Sequence, residues 1–536
     1  MRKTERLDER AGERRFPRPG RVPREDTAAV MKFYGLPNRF PKAVLDEVAK
    51  LPSAPAAADI RGRLDLRRRY IFTCDPVSAR DYDDALSIET DKSGNRVLGV
   101  HIADVSHYVK TGSAIDREAY KRGTSVYFCD RVVSMLPEAL SNGVCSLVPG
   151  EDRLAFSVFI TFDRNGEAVK RSFAKSVIRS AARFAYEDVM RVIEGEVDVA
   201  DRTGAKAGKK GISAIRKVAE LARQLRAKRF AEGALDLETA ETDILLDRYG
   251  EIESISVSRG DESHQMVEEC MVAANEAVAK ELWTRGVKIL ARLHEPPDEE
   301  KILALRAELR GLGIKAGNLE NRKVFAGLLQ TIKRHPLHDT LSMMVLRSMK
   351  KAVYDASTIG HFGLAKRYYA HFTSPIRRYP DLTLHRQLAD FICGRDAKVA
   401  PGLLARRAEH LSEREEVAAE AERALVEIKR FRFFERQMEE GRDEIYDAVV
   451  SKVMPFGCFV DIPSLAASGL VHVSALSRRF LRYSESDASL SAGRGECWRA
   501  GDRLKVRVAR VDFDGRKIDF VPAERNREPK KGRRKK

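Results

Sequence analysis

Four aspartates lie within ten positions of one another near the start of the chain: Asp75, Asp81, Asp83 and Asp84. They follow residues 70–73, Tyr-Ile-Phe-Thr, a hydrophobic run typical of a strand. Two carboxylates about 4 Å apart repel each other by roughly 4 kcal/mol at an effective dielectric constant near 20, so this cluster favours a bound cation. Closely spaced oxygen ligands suit Mg²⁺ or Mn²⁺, which indicates metal-assisted phosphodiester chemistry. An exposed acidic turn is the alternative that these residues alone leave open.

Other catalytic motifs find little support. His101, Asp104 and Ser106 are near one another in the sequence, but such proximity is poor evidence for a catalytic triad. The sequence Gly-Lys-Lys-Gly at 208–211 lacks the spacing of a phosphate-binding loop. The seven cysteines include no Cys-x-x-Cys pair, which favours reduced, buried thiols and assigns Cys74 a packing role.

The charge of the chain indicates a polyanionic partner. Lys and Arg number 97 against 80 acidic residues, for a formal net charge of +17. Residues 524–536 hold eight basic and two acidic side chains, a composition that predicts a disordered basic tail with salt-sensitive attraction for phosphate. No run of 18 apolar residues and no secretory signal is present, so we expect a cytoplasmic protein without a membrane partner.

The aspartate segment also resembles a family signature. Asp-Pro-Val-Ser-Ala-Arg-Asp-Tyr-Asp-Asp-Ala, from Asp75, is similar to the catalytic motif of the ribonuclease II/ribonuclease R family of 3′ to 5′ exoribonucleases. Five further segments resemble that family in the same order, at 99–106, 123–128, 135–147, 267–275 and 369–382. The resemblance implies an α+β fold in which an RNB-type catalytic domain precedes a small OB-fold β-barrel.

The pattern along the chain predicts five regions. Five short strand-like runs after residue 440 indicate a barrel, and the Ala/Glu/Arg/Leu-rich stretch 403–440 indicates a long helix before it. The regions are a flexible basic arm at 1–25, a short helical connector at 26–60, the RNB catalytic domain at 61–440, an OB-fold of the ribosomal protein S-one type at 441–523 and the basic tail at 524–536. The cold-shock domains that precede the connector in ribonuclease R are not in this sequence, which implies a wider RNA entrance and lower processivity.

The resemblance also implies roles for individual residues. Asp75, Asp81, Asp83 and Asp84 would hold one or two metal ions, with Asp83 essential for catalysis. Arg377 matches the catalytic arginine that stabilises transition-state charge, in preference to Arg378. For Arg377, an ion pair with a carboxylate is the alternative.

RNA-binding roles follow from the same comparison. Tyr127 and Tyr186 match aromatic positions that stack on the last nucleotides, and Glu269 matches a contact to the terminal ribose. A second stacking position falls on Leu237, which departs from the family pattern and weakens the base clamp. In the OB-fold, the expected base-stacking platform is Phe456, Phe459 and His472, and the expected phosphate contacts are Lys505, Arg507 and Arg510. For any one of these aromatic residues, a core role is the alternative.

The sequence thus predicts a Mg²⁺-dependent exoribonuclease, with Mn²⁺ as a substitute, that hydrolyses single-stranded RNA to nucleoside 5′-monophosphates. We expect a monomer, and partners such as the ribosome or RNA-decay factors stay open. A non-catalytic RNA-binding or adaptor protein is the main alternative, because the OB-fold and the tail would suffice for binding. A DNA exonuclease is a weaker one.

Overall fold

The structure, a computed structural model, describes residues 16–205, 207–236, 241–335, 337–484, 489–492 and 496–523. Helices and strands are mixed through the first 440 residues, and strands dominate from 446 to 522. This confirms the predicted α+β class. Within the described residues, no helix has both the length and the apolar composition needed to cross a bilayer.

A seven-stranded sheet is the centre of the catalytic region. The order of its strands is β1, β8, β7, β4, β3, β2 and β9. All adjacent strands are antiparallel except β1 with β8 and β2 with β9, which are parallel. The first nine strands are β1 (Leu64–Asp65), β2 (Phe72–Asp75), β3 (Asp84–Thr90), β4 (Arg96–Ala103), β5 (Val126–Tyr127), β6 (Val132–Val133), β7 (Asp152–Phe162), β8 (Ala168–Arg179) and β9 (Ala182–Ala185). Because β2 and β3 are antiparallel, the end of β2 and the start of β3 lie at one edge of the sheet.

Helices cover both faces of this sheet. The helices of the first 440 residues are α1 (Asp26–Phe33), α2 (Lys42–Val48), α3 (Ala57–Ile60), α4 (Val105–Tyr108), α5 (Ala114–Arg122), α6 (Tyr186–Ile193), α7 (Gly208–Ala231), α8 (Glu262–Thr284), α9 (Glu299–Gly311), α10 (Arg322–Lys333), α11 (His338–Ser348), α12 (Tyr379–Ile392) and α13 (Pro401–Glu439). Phe72 of β2 packs in one buried cluster with α7 and α8, and the adjacent Ile71 packs in a second cluster with α5 and α12. The two clusters hold β2 and β3 rigidly between them.

Three smaller pieces extend from the sheet. Strands β10 (Glu241–Leu246) and β11 (Ile252–Ser258) form a hairpin, and β12 (Ala291–Leu293) pairs with β13 (Val353–Asp355). Helices α9, α10 and α11 share a separate apolar cluster that includes Phe325 and Leu329. These helices therefore form a compact unit of their own beside the sheet.

The end of the chain forms a closed five-stranded barrel. Its elements are β14 (Tyr446–Met454), β15 (Gly457–Ile462), β16 (Ala467–His472), α14 (Val473–Leu476), β17 (Arg482–Ser484), β18 (Ser489–Ser491), β19 (Cys497–Trp498), β20 (Arg503–Asp512) and β21 (Lys517–Pro522), and the barrel order is β14, β15, β16, β21, β20. Phe431 and Phe434 of α13 are buried within the barrel core. The predicted OB-fold is thus present and is packed directly on the long helix.

The segment before α1 differs from the prediction of a flexible arm at 1–25. Asp26 is fully buried, and its carboxylate receives Lys429 Nζ at 3.0 Å and Arg432 Nε at 2.8 Å from α13. Lys429 also donates to the carbonyl oxygens of Pro23 and Gly250. Sequence composition could not anticipate these bonds, since the partners lie about 400 residues along the chain. Residues 16–25 are therefore anchored, whereas 1–15 lie outside the described residues.

Candidate active site

Three of the four aspartates lie at one edge of the central sheet. Asp75 ends β2, Asp84 begins β3, and the observed pairing of Phe72 with Leu86, if extended, sets Asp75 opposite Asp83. Asp84 pairs in turn with Ile102 of β4. The sequence prediction of carboxylates gathered at a strand end therefore agrees with the fold.

The loop 76–83 is held by residues that the sequence did not single out. Arg183, on the neighbouring strand β9, donates to the carbonyl oxygens of Pro76, Val77 and Ala79, the shortest of these at 2.8 Å to Val77. Ser146 accepts from the backbone N–H of Tyr82 at 3.0 Å. These bonds fix the path of the loop and hence the positions of Asp81 and Asp83.

The carboxylates are buried in a way that disfavours their charged forms. Burial is the main cause that raises the pKa values of Asp75 and Asp83 well above their usual range, and burial also raises the pKa of Asp84 to about 6. Repulsion from Asp84 adds to the shift at Asp75. One oxygen of Asp75, Oδ2, is buried and has no hydrogen-bond partner in the described structure. A cation at this edge would satisfy that oxygen and stabilise the charged carboxylates.

The donor set fits a hard divalent cation in part. All the ligands offered here are carboxylate oxygens, as Mg²⁺ and Mn²⁺ prefer. Across the described residues, no three His, Cys, Asp or Glu side chains converge tightly enough to form a complete metal cage. The aspartates would therefore supply part of a coordination shell, with water and phosphate oxygens completing it.

Arg377 and Arg378 have different environments. The guanidinium of Arg377 is 45% exposed, and its Nε lies 4.0 Å from Asp83 Oδ2. The Arg378 side chain is only 17% exposed and forms a bidentate ion pair with the fully buried Asp381, at 2.7 and 3.0 Å. Arg377 is thus available to a ligand beside the aspartates, whereas Arg378 is committed to the protein.

The turn that carries Arg377 is tied to the aspartates and to the segment 123–125. The backbone N–H of Ile376 donates to Asp83 Oδ1 at 2.8 Å. The carbonyl of Arg377 accepts from the N–H of Ser125 at 2.9 Å and from the hydroxyl of Thr124 at 3.1 Å. Three of the segments that resemble the family therefore meet at one point.

Tyr127 lies at this point as well. Its hydroxyl donates to Asp81 Oδ2 at 3.3 Å, and the side chain remains partly exposed. Its backbone N–H donates at 2.7 Å to Glu422 Oε1, from the middle of α13. Sequence reasoning missed Glu422, which lies in a helical stretch rich in Ala, Glu, Arg and Leu with no motif to mark it.

Tyr186 begins α6 on the other side of the cluster. Burial is the main cause that raises the pKa of its hydroxyl, and the nearby carboxylates of Asp84 and Asp75 add to the shift. The ring stacks on His264 with centroids 3.8 Å apart and an interplanar angle of 19°. One face of Tyr186 is therefore covered, so a base could stack only on the other face.

Glu269 has a different environment from the one expected for a ribose contact. Its side chain is 2% exposed and is ion-paired with Arg229 of α7, whose Nε lies 3.1 Å from Oε1. The preceding residue, Glu268, is 46% exposed and also contacts Arg229, at 3.0 Å. This geometry does not favour a direct contact between Glu269 and RNA, because its carboxylate is already occupied. Leu237 lies outside the described residues.

The predicted RNA face of the barrel is divided into two parts. Phe456 and Phe459 are exposed and lie edge to face, with centroids 6.1 Å apart, and His472 pairs with Gly457 beside them. The residue paired with Phe459 on the neighbouring strand β14 is Lys452. Its basic side chain is exposed, and the sequence analysis did not single it out.

The predicted phosphate contacts lie farther off. Lys505 is exposed on β20 and pairs with Asp447 of β14. Asp447 lies five residues before Lys452 on the same strand, so Lys505 and Lys452 are separated by roughly 16 Å along the strand direction. Arg507 is occupied by Asp443 and by the carbonyl of Ala523, and Arg510 pairs with Asp512 at 3.1 Å. Lys452 is therefore closer to Phe456 and Phe459 than Lys505, the predicted phosphate contact, is.

Comparison with known proteins identifies the family. The RNB domain model matches residues 63–394, and the S1 RNA binding domain model matches residues 440–521. The chain belongs to the RNB family of ribonucleases. Ribonuclease R of Thermotoga maritima is 41% identical over 507 residues, which cover 92% of this chain and 69% of that protein. Ribonuclease R of Escherichia coli is 35% identical over 514 residues, which cover 93% and 62%.

Solved structures agree with this membership. RNase R of Mycoplasma genitalium, in complex with ribose-methylated single-stranded RNA, matches with a TM-score of 0.83 and 27% identity, covering 94% of this chain and 78% of that one. Yeast Ssd1, a pseudonuclease, shares the fold at 19% identity with a TM-score of 0.71, covering 88% and 58%. The chain is a 3′ to 5′ exoribonuclease of the RNB family, and RNA is its binding partner. Ribonucleases of this family are generally metal-dependent.

Proposed function

We propose that this chain is a Mg²⁺-dependent enzyme that hydrolyses single-stranded RNA from its 3′ end to nucleoside 5′-monophosphates, with Mn²⁺ as a substitute ion. The observation that carries the proposal is the buried edge where Asp75, Asp83 and Asp84 lie beside the exposed guanidinium of Arg377. Carboxylates and an exposed guanidinium in one place suit a phosphodiester, because the guanidinium binds the phosphate oxygens and the carboxylates hold the cation.

Each residue of the site would have its own role in hydrolysis. Asp75, Asp83 and Asp84 would hold the metal, and Asp81 would be a further ligand or orient one. The bound ion would supply an activated water and stabilisation of the leaving 3′ oxygen. Arg377 would fork onto the phosphate and stabilise the negative charge that develops there. Tyr127, whose hydroxyl is 3.3 Å from Asp81, and the face of Tyr186 that His264 does not cover would position the terminal nucleotides.

The fold by itself does not distinguish a nuclease from a non-catalytic RNA-binding protein, because a pseudonuclease shares it. Two features of this chain favour the enzyme. The aspartates keep an unpartnered buried oxygen at Asp75, and the pKa of Asp84 is raised to about 6 by burial. A pure binding protein gains nothing from carboxylates held in such an unfavourable state next to a polyanion.

Incubation of the purified chain with 5′-labelled RNA, with DNA of the same sequence and with EDTA tests the proposal. We expect stepwise shortening of the RNA in Mg²⁺, slow or absent cleavage of the DNA, and no cleavage after EDTA, with recovery when Mg²⁺ is restored. RNA binding without shortening in any divalent metal would support the adaptor alternative. Equal cleavage of the DNA would overturn the substrate assignment.

The barrel's aromatic pair should contribute RNA affinity. Because Phe431 and Phe434 of α13 are buried in the barrel core, deletion of 441–536 would expose apolar surface and confound the result. We therefore expect the double variant Phe456→Ala/Phe459→Ala to weaken binding of long RNA by roughly 30-fold or more, since each of the two base stacks contributes about 1–3 kcal/mol. Hydrolysis of a saturating short oligonucleotide should persist. Unchanged affinity in filter-binding or anisotropy titrations would refute this role.

Further assignments are also proposals. The division into a catalytic domain at 61–440 and an OB-fold at 441–523 is supported by the family matches at 63–394 and 440–521. A cytoplasmic location and a monomeric state are expectations that fractionation and light scattering would test. Association with the ribosome or with RNA-decay factors rests only on the basic charge of the chain.

A further inference from the structure

The loop 477–482 of the barrel presents the most exposed large apolar side chain in the described part of the chain. Phe480 is 90% exposed, and the next such residue, Val197, is 69% exposed. A single exposed apolar residue needs no explanation by itself. Phe480, however, lies among Arg478, Arg479 and Arg482, all of them exposed. Within the described residues, none of the three forms an ion pair.

The loop is fixed at both ends. Leu476 and Leu481 are 7% and 5% exposed, respectively, and both belong to the buried core of the barrel. Ser477 donates from its hydroxyl to Glu496 at 2.6 Å and accepts from the backbone N–H of Arg479 at 3.0 Å. Arg482 pairs with Ser491 in the small sheet that follows. The exposure of Phe480 is therefore built into the loop between two buried anchors.

An aromatic ring among exposed arginines has the chemistry of a single-stranded nucleic acid contact. A ring takes any base by stacking, and guanidinium groups bind the flanking phosphates. Along the chain, the loop directly follows His472, at the end of β16, and the short helix α14. OB-folds bind about 4–16 nucleotides each, which leaves room for contacts beyond the strands themselves.

We propose that the loop 477–482 is an additional RNA-binding site, distinct from the catalytic pocket and from the pair Phe456 and Phe459, at which an unpaired segment of the RNA stacks on Phe480 and binds the three arginines through its phosphates. The inference rests on the proposed function, because the strand held here is the substrate. As a consequence, the protein contacts a longer segment of the RNA. Long substrates gain affinity from the loop, and substrates that fill only the catalytic pocket do not.

The test compares binding across RNA length. We expect Phe480→Ala to weaken binding of an unpaired RNA of about 30 nucleotides by about tenfold and to leave an RNA of about 4 nucleotides unaffected, in EDTA to prevent hydrolysis. Phe480→Trp should restore binding, because it keeps a stacking surface. The triple variant Arg478→Gln/Arg479→Gln/Arg482→Gln should reduce the slope of log affinity against log salt by about 2, at about 0.7 per phosphate contact.

A matched control removes the same charge elsewhere. Lys301, Arg310 and Lys315 are exposed on or beside α9, and their exchange to Gln should leave the salt slope closer to that of the wild type. Wild-type affinity and salt slope in both loop variants would overturn the proposal. So would loss of binding to phosphatidylglycerol vesicles with unchanged RNA binding, which would assign the loop to a membrane surface. Hydrolysis of the short RNA by the wild type in Mg²⁺ tests the proposed function separately, since that reaction does not need the loop.

Discussion

Replacement of Asp83 by Asn is expected to lower kcat by about 100-fold or more while the protein remains folded and still binds RNA. Even residues that only support metal ligands typically contribute 10- to 100-fold, and Asp83 would be a ligand itself. An amide keeps the oxygen that accepts from the Ile376 N–H at 2.8 Å, so the turn that carries Arg377 should stay in place. Single-turnover hydrolysis of labelled RNA in saturating Mg²⁺ measures the effect.

The stability of Asp83→Asn, unlike its activity, should not fall. Burial raises the folded-state pKa of Asp83, so its ionised form disfavours folding at neutral pH in the absence of metal. Removal of that charge should therefore leave the melting temperature in EDTA unchanged or higher. Asp46→Asn, an identical exchange on an exposed face of α2, is the control and should change neither quantity. Wild-type turnover by Asp83→Asn would remove Asp83 from the catalytic set.

Much of the fold could be predicted because its signals are local. The strand-like runs at 446–453, 457–462, 469–473, 504–511 and 517–521 correspond closely to the five barrel strands, such as β14 (Tyr446–Met454) and β20 (Arg503–Asp512). The helix expected at 403–440 is Pro401–Glu439. In each case alternation or helical spacing of apolar residues sets which face is buried, and that information is present within the segment itself.

The candidate site could be predicted only in part. The aspartates and Arg377 lie in compact motifs, so the sequence marks them directly. The ion pair between Glu269 and Arg229 depends on the packing of α8 against α7, and the two residues are 40 positions apart in the sequence. The approach of Glu422 to Tyr127 spans 295 residues. Pairings of this kind are determined by tertiary packing, and no local pattern encodes them.

Arg377→Ala and Arg378→Ala should both reduce activity, but for different physical reasons. Loss of the Arg377 guanidinium removes a contact to transition-state charge, so kcat should fall by about 100- to 1,000-fold, or roughly 3–4 kcal/mol, with little change in RNA affinity. Arg377→Lys should recover little, since an ammonium cannot fork onto phosphate oxygens. Because the Arg377 side chain is 45% exposed and its ion pair with Asp83 is a long one, at 4.0 Å, the melting temperature should stay near the wild-type value.

Loss of Arg378 instead leaves the fully buried carboxylate of Asp381 without its cation. Breaking such a buried pair typically destabilises a protein by about 3–5 kcal/mol, so urea unfolding should show the change directly. Asp381 also accepts from the N–H of Ser374 at 2.8 Å, at the start of the turn that carries Arg377, so the turn should loosen and kcat should fall as a consequence. Full activity of Arg377→Lys, together with an inactive Arg378→Ala of normal stability, would show that Arg378 is the residue that contacts the phosphate.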